Sequence, residues 1–76
     1  MNIDRLTYMA NQIARAFEPQ GHDSAVDQAA THINKFWDPR MKKTMLEGDR
    51  SGLSPIAAEA MVKVEAYVAA RPASAW

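Results

Sequence analysis

Cysteine is missing from this chain of 76 residues, and glycine occurs only three times. Without thiols, no disulfide staples the fold and no thiolate holds a zinc ion or an iron–sulfur cluster. The glycines stand apart, at 21, 48 and 52, so no glycine-rich loop cradles a phosphate. Long hydrophobic runs are missing too, since no stretch approaches the roughly 18 apolar residues in a row that a membrane span needs. The start, Met1-Asn2-Ile3-Asp4-Arg5, has no basic segment leading into an apolar run. No secretory leader is read there, and the expected compartment is cytoplasmic. Nor does charge of one sign dominate: 9 Lys+Arg stand against 9 Asp+Glu. Nonspecific nucleic-acid binding depends on a surplus of cations and is disfavoured by that balance.

What is present fits one small folded domain. Hydrophobic residues make up 47% of the chain and charged residues 24%, ordinary proportions for a globular domain. A chain of this size buries roughly 60% of its unfolded surface and keeps a thin margin of stability. Unstapled domains this small often lean on a partner or on themselves, and they rarely enclose a deep, dry catalytic pocket. The expected organisation is a single helical domain over 1–71 followed by a tail, 72–76.

Four helices are predicted. Ile3, Leu6, Met9, Ala10, Ile13, Ala14 and Phe17 fall within an arc of about 140° at helical spacing, giving a helix over 3–17. Asn2 or Asp4 caps its start, and Pro19 and Gly21 end it. Ser24 is the expected cap of the second helix, with Asp27 adding favourable charge. Val26, Ala29, Ala30, Ile33, Phe36 and Trp37 form its arc. Asp38-Pro39 closes this helix and opens a third, over 39–47. Ser54-Pro55 repeats the cap-then-proline start for a fourth, over 55–70. Ile56, Ala57, Ala60, Met61, Val64, Tyr67 and Val68 are its strong face. Ala58, Val62, Ala66 and Ala69 make a second apolar patch opposite, which a helix paired with a second copy of the chain would bury. The fold class is therefore all-α, a small bundle or orthogonal array of four helices.

The search for chemistry returns little. His22 and His32 have no partner at the i, i+4 spacing of a helical metal motif. The serines at 24, 51, 54 and 74 serve as caps or lie in loop and tail, and none occupies a Gly-x-Ser-x-Gly elbow. The carboxylates occur singly. No catalytic, metal or cofactor-binding residue is assigned, and the chain is not expected to be an enzyme.

Two surfaces are candidates for contact. On helix 1, away from the apolar arc, Tyr8, Asn11, Gln12 and Arg15 align at i, i+3, i+4 and i+7. Tyrosine and arginine are enriched at interfaces and amides desolvate cheaply, so this face is either a partner site or plain surface. Residues 35–43 carry Lys35, Arg40, Lys42 and Lys43 against one anion, Asp38. Within them Trp37, Asp38, Pro39 and Arg40 form the second candidate. Core packing is the favoured reading of Phe36 and Trp37, with Lys35, Lys42 and Lys43 solvated. Asp38 and Pro39 are helix punctuation, and Arg40 either meets a partner carboxylate or is an ordinary surface cation. A nucleic-acid module using Lys35, Arg40, Lys42 and Lys43 is the alternative, because cations beside aromatics hold phosphates and stack bases.

Tyr8-Met9-Ala10-Asn11-Gln12-Ile13-Ala14-Arg15-Ala16-Phe17 and His32-Ile33-Asn34-Lys35-Phe36-Trp37-Asp38-Pro39-Arg40-Met41 resemble the delta subunit of soluble, NAD-dependent, molybdenum-containing formate dehydrogenases. The spacing between the blocks, the short length and Leu53-Ser54-Pro55 before the last helix agree. The resemblance spans about residues 4–65, and nothing from Tyr67 onward matches. In that family the large subunit carries the molybdenum cofactor and iron–sulfur clusters, and other subunits carry flavin and reduce NAD. The resemblance implies a small accessory subunit in assembly, maturation or stability of the complex, with the large subunit as expected partner. It carries over no cofactor ligand.

Overall fold

Asn2 opens the first helix. Its Oδ1 accepts the Asp4 amide at 2.8 Å, satisfying one of the free N–H groups of the first turn. In the computed structural model, which describes residues 2–70, helix α1 runs Ile3–Phe17, α2 His22–Phe36, α3 Pro39–Glu47 and α4 Pro55–Ala69. A single 3-10 turn, Glu18–Gln20, joins α1 to α2. No strand occurs among the described residues. The all-α class with four helices is what the sequence predicts. The predicted tail, 72–76, lies outside the described residues.

Asp38 and Ser54 cap as expected. The Asp38 carboxylate accepts the Met41 amide at 2.9 Å, and the Ser54 hydroxyl accepts the Ala57 amide at 3.3 Å. Pro39 and Pro55 occupy the first helical positions behind them, where a missing N–H costs nothing. Ser24 does not cap α2. That helix begins three residues earlier than a Ser24 cap would start it, at His22, behind Gly21 with φ 99° and ψ 155°. This backbone region is essentially open to glycine alone. It turns the chain so that the Gly21 carbonyl accepts the Ala25 amide at 2.8 Å. Ser24 then lies inside the first turn and donates its hydroxyl to Gln20 Oε1.

The core is built largely from alanine. Ala10 and Ala14 of α1, Ala29 and Ala30 of α2, and Ala57 and Ala60 of α4 are all buried. Small side chains let three helices approach closely and lose no rotamer entropy on burial. Leu6, Ile33, Met45, Met61 and Val64 fill the space between them. The pairing of α2 with α4 is the most extensive, α1 lies against both, and the short α3 contributes Met45. Trp37 is buried as predicted, at 5% exposure.

Three expectations of burial fail. Phe36, placed with Trp37 in the core, is 67% exposed. Tyr67, assigned to the inner face of α4, is 37% exposed. Lys42, expected in solvent, is 4% exposed. Its stem lies along the core and its Nζ donates to Asn34 Oδ1 of α2 at 3.1 Å, the usual way a long cationic side chain is buried. Among the described residues, helix α4 is covered on one side only, and Val62, Ala66 and Ala69 of its second patch face outward.

Candidate protein-contact surface

Of the four residues singled out on α1, the structure divides Asn11 from the rest. Asn11 Nδ2 donates to the Gly52 carbonyl at 3.0 Å, and its Oδ1 accepts the Ser54 amide at 2.8 Å. One side chain thus ties α1 to the loop that launches α4. Tyr8 is 61% exposed, and its hydroxyl accepts the Gln12 amide at 2.9 Å. Gln12 and Arg15 are exposed on the same outer face, one and two turns along from Tyr8.

Arg15 also lines a wide, open groove of about 590 Å³ between the end of α1 and the starts of α2 and α4, with Asn11, Glu18, His22 and Ile56 on its walls. His22 lies in the first turn of α2 and hydrogen-bonds Glu59 of α4. His32 is half-buried. Its ring lies 6.3 Å from that of Phe17, edge-on, and 4.7 Å from that of Phe36.

At the second candidate, Trp37 turns inward while Asp38, Pro39 and Arg40 are exposed. Phe36 is the residue that sequence reasoning misplaced. It ends α2, its ring tilted at 40° against that of His32, with Lys35 before it and Arg40 in the first turn of α3. Burial of Lys42 takes one cation out of the basic set that the nucleic-acid alternative needs.

Charge on the surface is unevenly used. The ion pairs among the described residues are His22–Glu59, Arg50–Glu65 at 2.9 Å and Lys63–Asp27 at 2.9 Å, and each ends on α4. Arg50 also donates to the Leu46 carbonyl. Hydrogen bonding to Asp27, and then its charge, raises the Lys63 pKa above the ordinary lysine value. Amide and hydroxyl donation from Ser51 lowers that of Asp49. Arg5, Arg15, Lys35, Arg40 and Lys43 make no ion pair with a described residue.

No group of three or more His, Asp or Glu side chains is placed to hold a metal ion among the described residues. No described helix is long and apolar enough to cross a membrane. A family model described as NADH-dependant formate dehydrogenase delta subunit FdsD matches residues 5–61, from the first turn of α1 to Met61 in the middle of α4. No curated protein and no solved structure matches the chain. With most of its length under that model, the chain belongs to the family of formate dehydrogenase delta subunits.

Proposed function

We propose that this chain is a non-catalytic accessory subunit. It associates with the other subunits of an NADH-dependent formate dehydrogenase and acts by protein–protein contact in assembly, maturation or stability of the complex. The observation that carries this reading is the family match over 5–61, which takes in α1, α2, α3 and the first half of α4. The surface supports it. Tyr8, Phe36 and Val62 are large apolar side chains left in water on a domain with few elements to cover them, and exposed aromatics beside cations are the usual anchors of interfaces. Tyr8, Gln12 and Arg15 form one contact face; Asp38, Pro39 and Arg40 form the other. Asn11 and Trp37 support these faces from behind, one through the loop and one through the core. The large, molybdenum-cofactor-bearing subunit is the proposed partner, and the site of action is cytoplasmic.

Co-expression of the tagged chain with the remaining subunits tests this. The subunits are expected to co-elute with it. Omitting the chain is expected to lower the yield of assembled, formate-oxidising complex. Tyr8→Ala combined with Arg15→Glu should weaken recovery, since losing an interface anchor costs about 2 kcal/mol or more. Absence of co-elution, together with an unchanged yield when the chain is omitted, overturns the reading.

A further inference from the structure

We propose that the α2–α3 corner docks an acidic surface of another subunit of the dehydrogenase, with Phe36 as the apolar anchor and Lys35, Arg40 and Lys43 as the charges around it. The inference rests on the accessory-subunit reading and adds the place and the chemistry of the contact.

Phe36 is 67% exposed, more than any other large apolar side chain described. Its ring is held 4.7 Å from that of His32, which in turn meets Phe17. A ring that already leans on a neighbouring ring gives up less side-chain freedom on docking than one standing alone in water. Lys35 immediately precedes it on α2. Arg40 and Lys43 are three apart on α3, so they share one face, opposite the buried Lys42 and Met45.

Among the described residues, these three cations have no ion pair to break. The carboxylate nearest in sequence, Asp38, is occupied in capping α3. Glu47, one turn beyond Lys43 on the outer face, pairs with none of them. A partner carrying carboxylates around an apolar recess therefore gains three attractions, and complementary charge speeds its approach. A second copy of this chain would instead bring like charges together, which argues against self-association here.

The test uses the full-length tagged chain and the purified complex of the other subunits. Binding by the unaltered chain should weaken steadily between low and high salt. Phe36→Ala should raise the dissociation constant about 30-fold or more, as should Arg40→Glu with Lys43→Glu, while melting temperatures stay put because all three side chains are exposed. If the unaltered chain binds and the charge-reversed variant binds as tightly, this inference falls and the accessory-subunit reading stands. Failure of the unaltered chain to bind even at low salt overturns this inference, and together with an unchanged yield of complex when the chain is omitted it overturns that reading too. Equal affinity for a DNA duplex at low salt would reassign the corner to nucleic acid and overturn the proposal.

Discussion

Around α4, cations are engaged within the molecule: Lys63 holds Asp27 of α2, and Arg50 bridges from the preceding loop to Glu65. On α1, the end of α2 and α3, Arg5, Arg15, Lys35, Arg40 and Lys43 are left without ion pairs among the described residues. Pairs as exposed as these contribute little apiece, but they agree with the α2–α4 pairing at the centre of the fold. The unpaired rim ties no two described elements together by charge and carries a field outward. The two regions thus separate what holds the chain together from what it offers to others, and substitutions on the two sides should differ in kind.

The largest contrast lies between neighbours. Trp37→Ala removes a buried indole and should cost about 3–5 kcal/mol, enough to bring a domain of this size close to unfolding. Phe36→Ala, one residue earlier, removes a ring that is mostly in water and should change stability by no more than about 0.5 kcal/mol. Thermal or urea melts of the two variants check this. A loss at Phe36 comparable to that at Trp37 would break the division between core and contact rim.

Why the sequence placed both residues inside is a question of geometry. Spacing at 100° per residue puts Phe36 and Trp37 on one apolar arc, but α2 ends at Phe36. Trp37 has φ −80° and ψ 136°, so its side chain is directed by an extended backbone that a helical projection does not describe. Where punctuation is local, legibility is high. Asn2, Asp38-Pro39 and Ser54-Pro55 set three helix starts through bonds spanning two or three residues. Ser24 misleads because the start of α2 is decided by Gly21, whose dihedrals no side-chain pattern reveals. Asn11 was legible as an unusual amide on an outer face; that it grips Gly52 and Ser54, more than forty residues away, is a tertiary fact. Lys42 was misread because its charge suggests solvent, while its position on α3 follows the core side.

Gly21→Ala comes next in size. Nothing lies within 4 Å of an added Cβ at Gly21, so the cost arises from the backbone alone. Holding an alanine at φ 99° and ψ 155° should cost on the order of 1–3 kcal/mol. Binding to the other subunits should survive wherever the variant remains folded, because the contact rim is untouched. A melting temperature equal to the unaltered chain's would mean that the turn tolerates a side chain.

Asn11→Ala is expected to be milder. It removes two hydrogen bonds to the backbone of the 48–54 loop, each worth about 1 kcal/mol. It sharpens the comparison because Asn11 shares the outer side of α1 with Tyr8 and Arg15 while acting inward. Hydrogen exchange should quicken at the Ser54 amide, with little change at the end of α2. If Asn11→Ala weakens binding while leaving exchange at Ser54 unaltered, Asn11 belongs to the contact face.

The smallest effect concerns pH and separates the paired side from a purely local bond. Lys63 is raised by Asp27, so its contribution is complete below the ordinary lysine value of about 10.4. It is lost as pH rises through the raised value. Asp49 is lowered by Ser51; its contribution is complete above the ordinary aspartate value of about 3.9 and is lost as pH falls through the lowered one. The melting difference between the unaltered chain and Lys63→Gln should thus be flat across neutrality and shrink in alkali. For Asp49→Asn it should shrink only in acid. Salt should reduce the Lys63 difference, because both members of that pair are exposed, and should affect the Asp49 difference less, because its principal partner is an uncharged backbone amide. A Lys63 difference that persists unchanged beyond its titration would trace the effect to the side chain's stem on the α2–α4 seam, leaving the charge of the pair with no part in holding α4.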